Sequence, residues 1–264
     1  MVRVGRRKWF AEFRKKLKYY QGWKPGANVD FQAFVPKDNA LGRKLGIGKK
    51  QNVVFVLGCY GDWARELSKF CNLKYTDISP EMTNFAKARI NNERVKYGVV
   101  PAEIIPQRKK VYDWTFSFEP FPLLLGNGPE LSFMRTLLNK YGSKFVFAKS
   151  KKESKSVNVF FKRLSNFAQI YGCELEQKQV FVEGGKLGQE VSGHNLTLFT
   201  LKTNSGARER ANLDLKLLNY LNKHGRTSVL DLAKKFGTTS KRVDEAIVRI
   251  DAIGKSARDK VVHK

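Results

Sequence analysis

Acidic side chains are scarce in this chain: 24 Asp and Glu face 50 Lys and Arg over 264 residues, a formal net charge of +26 with a pI near 10.0. Self-repulsion on that scale adds nothing to a fold. The imbalance therefore points outward, to a polyanion whose phosphates the cations neutralise with release of counterions. A merely solubilising surface has the same composition, and a basic amphipathic segment on a membrane surface is a lesser alternative. Cysteine is also scarce. Cys59, Cys71 and Cys173 are odd in number, widely spaced and without a CxxC pair. That excludes a disulfide framework or structural zinc site and suits a reducing cytoplasm. His194, His224 and His263 are equally scattered, so no metal is expected. No apolar run approaches the roughly 20 residues that cross a bilayer. The N-terminus lacks the apolar core of a secretory signal, and no membrane partner is expected.

What is present is enough for a packed core: 42% hydrophobic and 12% aromatic residues, over a length that suits one large domain and one small one. The first 44 residues read as a basic arm. Trp9, Phe10, Phe13, Leu17 and Tyr20 recur at helical spacing among Arg6, Arg7, Lys8, Arg14 and Lys15. The spacing predicts an amphipathic helix with an aromatic face toward the body and cations free for phosphate. From residue 52 short β-branched runs alternate with amphipathic ones. Strands are predicted at 53–58, 73–76, 95–100, 112–118, 144–148, 174–181 and 195–202. Helices are predicted at 62–70, 80–91, 129–141 and 157–171. Such alternation predicts an α/β fold with a largely parallel sheet and helices on both faces. Residues 204–211, polar and containing Ser and Gly, read as a linker. Residues 212–264 read as a compact helical domain, with helices around Leu213–Leu221 (residues 213–221), at 228–236 capped by Thr227, and at 240–250. A short hairpin is expected after Gly254.

The turn after the first long strand, LGCYGDWARELSK, carries Gly58 and Gly61, and the next strand ends at Asp77 about 20 residues later. A glycine turn lets backbone approach a ligand, and a carboxylate at that distance is placed for ribose hydroxyls. YTDISPEMTNFAKAR (residues 75–89) resembles the second-strand motif of class I S-adenosylmethionine-dependent methyltransferases. LGCYGDWARELSK is similar to that family's first motif, VYDWTFSFEPFPLLL to its fourth strand and following loop, and GHNLTLFTLKT to the strand that completes its terminal antiparallel pair. The resemblance covers residues 45–203 and implies a Rossmann-like methyltransferase sheet with S-adenosylmethionine as cofactor. It implies that Gly58, Cys59 and Gly61 underlie the methionine part, that Asp77 holds the ribose, and that Ile78, Ala102 and Glu103 lie by the adenine. The sequence departs from the family at Val56, where an acid is usual, at Tyr60 and Asp62, which leave two loop glycines, and at Pro101, where another acid is common.

After the fourth strand, Phe118-Glu119-Pro120-Phe121-Pro122 loosely resembles the loop of enzymes that methylate base amino groups. Glu119 is the candidate catalytic residue, and Phe118 and Phe121 are either stacking surfaces for a flipped base or ordinary packing. Residues 144–155, including Lys149, Lys151 and Lys152, read as a basic lip beside the site. Residues 226–250 resemble a helix-turn-helix of the winged-helix type. In it Lys241, Arg242 and Arg249 would face a groove, and Lys255 and Arg258 would lie in the wing; a protein-contact module has the same pattern. The expected function is methylation of nucleic acid, RNA before DNA. The alternatives are a non-catalytic DNA- or RNA-binding protein on a degenerate methyltransferase scaffold, and a methyltransferase acting on protein.

Overall fold

The computed structural model describes residues 34–58, 60–100, 112–120, 129–148, 154–185, 193–254 and 261–262. In chain order these form β1 (Val35–Pro36), α1 (Leu41–Lys44), β2 (Asn52–Val56), α2 (Asp62–Ser68), β3 (Asn72–Asp77), α3 (Pro80–Ile90), β4 (Val95–Val99), β5 (Trp114–Phe118), α4 (Pro129–Thr136) and β6 (Gly142–Ala148). There follow α5 (Ser154–Tyr171), β7 (Glu174–Val182), β8 (Gly184–Gly185), β9 (His194–Lys202), α6 (Ser205–His224), β10 (Thr227–Ser228), α7 (Val229–Phe236), α8 (Ser240–Ala252) and β11 (Val261–Val262). The predicted amphipathic helix at 6–20, with Arg6, Arg7, Lys8, Arg14 and Lys15, lies outside the described residues. So do Cys59, Ala102, Glu103, Phe121, Lys149, Lys151, Lys152, Lys255 and Arg258.

Seven strands form one mixed sheet in the order β4-β3-β2-β5-β6-β9-β7. The first five are mutually parallel, and β9 enters antiparallel between β6 and β7. This is the sheet the alternating pattern required, closed by the antiparallel pair the resemblance implied. Strands buried on both faces need apolar side chains on both. Val53, Phe55, Leu73, Tyr75, Phe116 and Val146 meet α1, α2 and α3 on one face. Val54, Val56, Phe145, Phe147, Phe199 and Leu201 meet α4 and α5 on the other, where Phe133, Phe145, Phe160 and Phe167 pack edge to face. Among the described residues no helix is long and apolar enough to cross a membrane.

The residues expected as a linker are helical. Asn204 caps α6 by accepting a hydrogen bond from the Ala207 N–H, and Ala207 and Ala211, one turn apart, are fully buried. Local polarity concealed this, because two small alanines on one face suffice for close helix packing. The rest of α6 continues that face through Leu215, Leu218 and Leu221, so α6, α7 and α8 share one continuous core with the sheet. The helix boundaries at 229–236 and 240–252 follow expectation, but the cap of α7 is Ser228, which accepts from the Asp231 N–H. β11 pairs in parallel with β10 rather than forming its own hairpin within the described residues. A three-helix unit with this small strand pair is what the structure shows of the C-terminal region.

A buried ionic cluster clamps this unit to the sheet. Asp214 of α6 is 0% exposed, accepts from the Tyr171 hydroxyl at the end of α5 at 2.8 Å, and pairs with Arg249 of α8 through Nε at 2.9 Å and Nη2 at 2.7 Å. Arg249 was expected to face nucleic acid; it is turned inward because the Asp214 carboxylate must be matched in the apolar core. Burial raises the Asp214 carboxyl, with the Arg249 guanidinium opposing, and burial pushes the Tyr171 phenol up as well.

Lys144 corrects a second expectation. It belongs to β6 rather than to an exposed lip: it is 5% exposed, with Nζ 4.1 Å from the Trp114 ring centroid and 3.5 Å from Thr200 Oγ1. Burial is the largest influence on its amine and lowers it to about 8, with Lys202 and Lys178 adding and Glu176 opposing.

Two outcomes follow for stability. Arg249→Ala is expected to lower the unfolding free energy by about 3–5 kcal/mol in urea titration, since it strands a buried carboxylate. Lys241→Ala, on the exposed face of the same helix, is expected to shift it by less than about 0.5 kcal/mol. For Lys144 the folded state disfavours the proton, so stability rises as pH climbs from about 8 toward the free-lysine value. Lys144→Met should abolish that rise and raise stability at pH 7, both read from melting curves at pH 7–10.5.

Candidate functional site

The chain leaves β2 toward β3 on one side and returns from β4 to β5 on the other, so the order reverses between β2 and β5. Open α/β sheets bind ligands outside the strands' carboxyl ends at such a switch point. Extending the β2–β5 register places Leu57 and Gly58 beside Phe118 and Glu119. Leu57 has φ 56° and Glu119 φ 47°, left-handed conformations unfavourable for both residue types. Each costs about 1–3 kcal/mol, and such strain concentrates at ligand sites. It flanks the reversal point on both sides.

In the loop after β2, Gly58 packs on β3, and Tyr60, Gly61 and Asp62 pack on α3. A Cβ on Gly58 would lie 2.0 Å from the Tyr75 ring, so only glycine fits above β3. Tyr60 meets Phe85 edge to face at 5.8 Å. Gly61, at φ 80°, sits where a Cβ would come within 2.9 Å of the Ala86 Cβ. Asp62, 8% exposed, accepts from Arg89 Nη2 at 2.8 Å. Burial raises its carboxyl, and Arg89 and then Arg65 oppose that. Both departures from the family's glycine pattern in this loop therefore have partners on one helix.

Asp77 ends β3 beside this loop and is 8% exposed. Its Oδ1 accepts the Ser79 N–H at 2.9 Å, while Ser79 caps α3 through the Met82 N–H and Pro80 occupies the first turn. The Asp-Ile-Ser-Pro stretch is thus also what a strand-to-helix turn with a capped start demands. Ile78 is half-buried next to it, and Val99, across the β3–β4 register, is 48% exposed. Gly58, Asp77, Ile78 and Glu119 come together at adjacent strand ends. Lys241 and Arg242 are exposed at the start of α8, remote in sequence from this group.

Glu119 is half-buried, and its Oε1 accepts the Ala148 N–H at the end of β6, so the side chain is oriented across the strand ends. Phe118 is no stacking surface for a base: it is 6% exposed and lies against Trp63 at 4.3 Å with planes 19° apart. Its strand position turns it into the core, as alternation along β5 dictates. Val56, where an acid is usual, is packed in the opposite core layer and offers no charge.

Sequence reasoning missed Trp63 and Phe34. The Trp63 Nε1 donates to the Phe34 carbonyl at 2.8 Å, and Phe34 also meets His194 edge to face at 4.8 Å. Trp63 in turn stacks on Phe118, the residue before Glu119. No local pattern reports the contact between Trp63 and Phe34, which spans 29 residues. Among the described residues no group of three or more His, Cys, Asp or Glu is placed to hold a metal ion.

No protein-family profile and no curated protein sequence matches the chain. Solved structures resemble it at low identity. An S-adenosylmethionine-dependent methyltransferase from Aquifex aeolicus is 15% identical, with 64% of this chain and 91% of that one covered and a TM-score of 0.47. The N-methyltransferase NodS from Bradyrhizobium japonicum is 12% identical over 62% and 92% of the two chains, with a TM-score of 0.44. The Haemonchus contortus phosphoethanolamine N-methyltransferase 2, solved with S-adenosyl-L-methionine, is 15% identical over 62% and 51%, at 0.44. At these values the likenesses assign neither family nor activity to this chain.

The loop packing has a direct test. Gly58→Ala is expected to destabilise the protein by about 1–3 kcal/mol through collision with Tyr75. Gly58→Ala with Tyr75→Leu should recover part of that loss, as measured by denaturant midpoints.

Proposed function

We propose that the chain is an S-adenosylmethionine-dependent methyltransferase acting on nucleic acid, RNA before DNA. The observation that carries this reading is the reversal of strand order between β2 and β5, with Asp77 at the end of β3 and strained Leu57 and Glu119 on its two sides. The residues present fit the cofactor's nucleoside half: Asp77 would accept from ribose hydroxyls, Ile78 would pack on adenine, and Gly58 permits close approach of the backbone. The cofactor, when bound, supplies a methyl group on a cationic sulfonium. Catalysis by this chain is then largely positioning of an acceptor in line with that methyl. Glu119, held by the Ala148 N–H, would take the proton an acceptor loses.

Several features favour a nucleic-acid acceptor. The net charge is +26, Lys241 and Arg242 are exposed on α8, and the sequence before Phe34 is rich in Lys and Arg. In this reading α6–α8 serve as a winged-helix module that grips substrate, and a protein contact through that module is the lesser role. Cys71 and Cys173 are unpaired, and we place the protein in the cytoplasm on that basis. One observation favours a second reading, a nucleic-acid-binding scaffold without catalysis: Val56 leaves the methionine side of the site without its usual carboxylate.

Calorimetry separates the two. The wild-type protein is expected to bind S-adenosylmethionine, and Asp77→Ala to weaken it about 10- to 100-fold, the effect of one hydrogen-bonding charge. Absence of heat at millimolar cofactor in folded protein would sink the enzyme reading. Because α6 belongs to the core, the C-terminal unit is best probed by point substitution: Lys241→Ala with Arg242→Ala should reduce the slope of log affinity against log salt by about 1–2.

A further inference from the structure

At the end of the helical unit where α6 and α7 finish, an aromatic cluster faces solvent. His224, the last residue of α6 and exposed, stacks on Tyr220 one turn earlier, with ring centroids 4.3 Å apart and planes 27° apart. Phe236, the last residue of α7, meets Tyr220 edge-on at 5.8 Å, and the Lys235 Nζ lies 5.0 Å from the Tyr220 ring centroid. Tyr220 is thus enclosed by its neighbours, and His224 carries the stack outward. Lys223 beside it and Lys234 on α7 are exposed. An apolar end cap would close such a position with aliphatic side chains; here the outermost group is a planar ring bordered by ammonium groups.

We propose that His224 on Tyr220 is a base-stacking platform for an unpaired stretch of nucleic acid, with Lys223 and Lys235 on the adjoining phosphates. A ring face bordered by cations is the chemistry that holds single strands without reading their sequence, since every base offers a π-face and every nucleotide a phosphate. Duplex DNA or RNA keeps its bases stacked internally and offers only phosphates here. The platform lies on α6 and α7, and the exposed Lys241 and Arg242 at the start of α8 follow α7 after the turn at residues 237–239. This rests on the nucleic-acid reading and is independent of whether methyl transfer occurs.

The test uses the full-length chain and fluorescence anisotropy with a labelled single strand of about 12 nucleotides, a length typical of such sites. An abasic strand of the same length and charge is the control. His224→Ala is expected to weaken binding of the base-bearing strand about tenfold, to leave the abasic strand unchanged, and to keep the salt slope. His224→Trp should restore affinity, as a larger ring stacks at least as well. Equal losses on both strands, or no loss on either, would overturn the platform while leaving nucleic-acid binding intact. Competition by a polyglutamate peptide equal to that by the base-bearing strand would overturn it in favour of an acidic protein partner. Failure of the wild-type chain to bind either strand would overturn both this inference and the nucleic-acid reading.

Discussion

The reversal of strand order between β2 and β5 is the constraint on which the rest of this molecule depends. A parallel strand must be followed by a crossover, and successive right-handed crossovers can cover both faces of one sheet only if the chain changes direction along it. Once α2 and α3 cover one face and α4 and α5 the other, the loops after β2 and β5 are forced apart above the middle of the sheet. Leu57 and Glu119 absorb the backbone strain of that parting. Asp77, one strand over, is brought to the same opening by the parallel register with β2. The position of a ligand site is thereby set by topology before any side chain is considered.

The Gly58 backbone rests on the Tyr75 ring, and Tyr60, Gly61 and Asp62 dock on α3 at Phe85, Ala86 and Arg89. These described positions are held by packing, which lowers the cost of ordering them around a ligand. The same fastening accommodates Tyr60 and Asp62 where the resemblance led one to expect a third loop glycine. Each side chain has a partner on a helix that is itself held by the Ser79 cap. Glu119 is treated similarly, with its carboxylate tied to the backbone of the neighbouring strand.

The second organising interaction is the Tyr171–Asp214–Arg249 cluster. It joins the ends of α5 and α8 to the middle of α6 in a region where each charge would be costly alone, and it makes the C-terminal helices part of the main core rather than a tethered module. It also redistributes the positive charge. Arg249 and Lys144 are withdrawn from the surface into pairing and cation–π contact, while Lys241, Arg242 and the lysines around His224 remain outside. Arg249 and Lys144 are thereby unavailable to a polyanion, while Lys241 and Arg242 on α8 are exposed to one.

Periodicity was sufficient to read the seven strands of the main sheet and the four helices between them, because parallel strands covered on both faces must be apolar runs and the helices between them must be amphipathic. Asp77, Gly58 and Gly61 were legible for a related reason: turns with special backbone geometry restrict residue type locally. What the order of residues along the chain does not contain is the environment on the far side of each side chain. Arg249 carries the same charge whether it meets water or Asp214, 35 residues away, and Lys144 looks like the start of a basic run until β5 and β9 enclose it. Phe118 reads as an available ring until Trp63 covers it. The polar residues 205–211 became helix because two alanines found a core to pack against. Local chemistry chose the elements; long-range packing decided which charges and rings face solvent, and so which of them are available to a ligand.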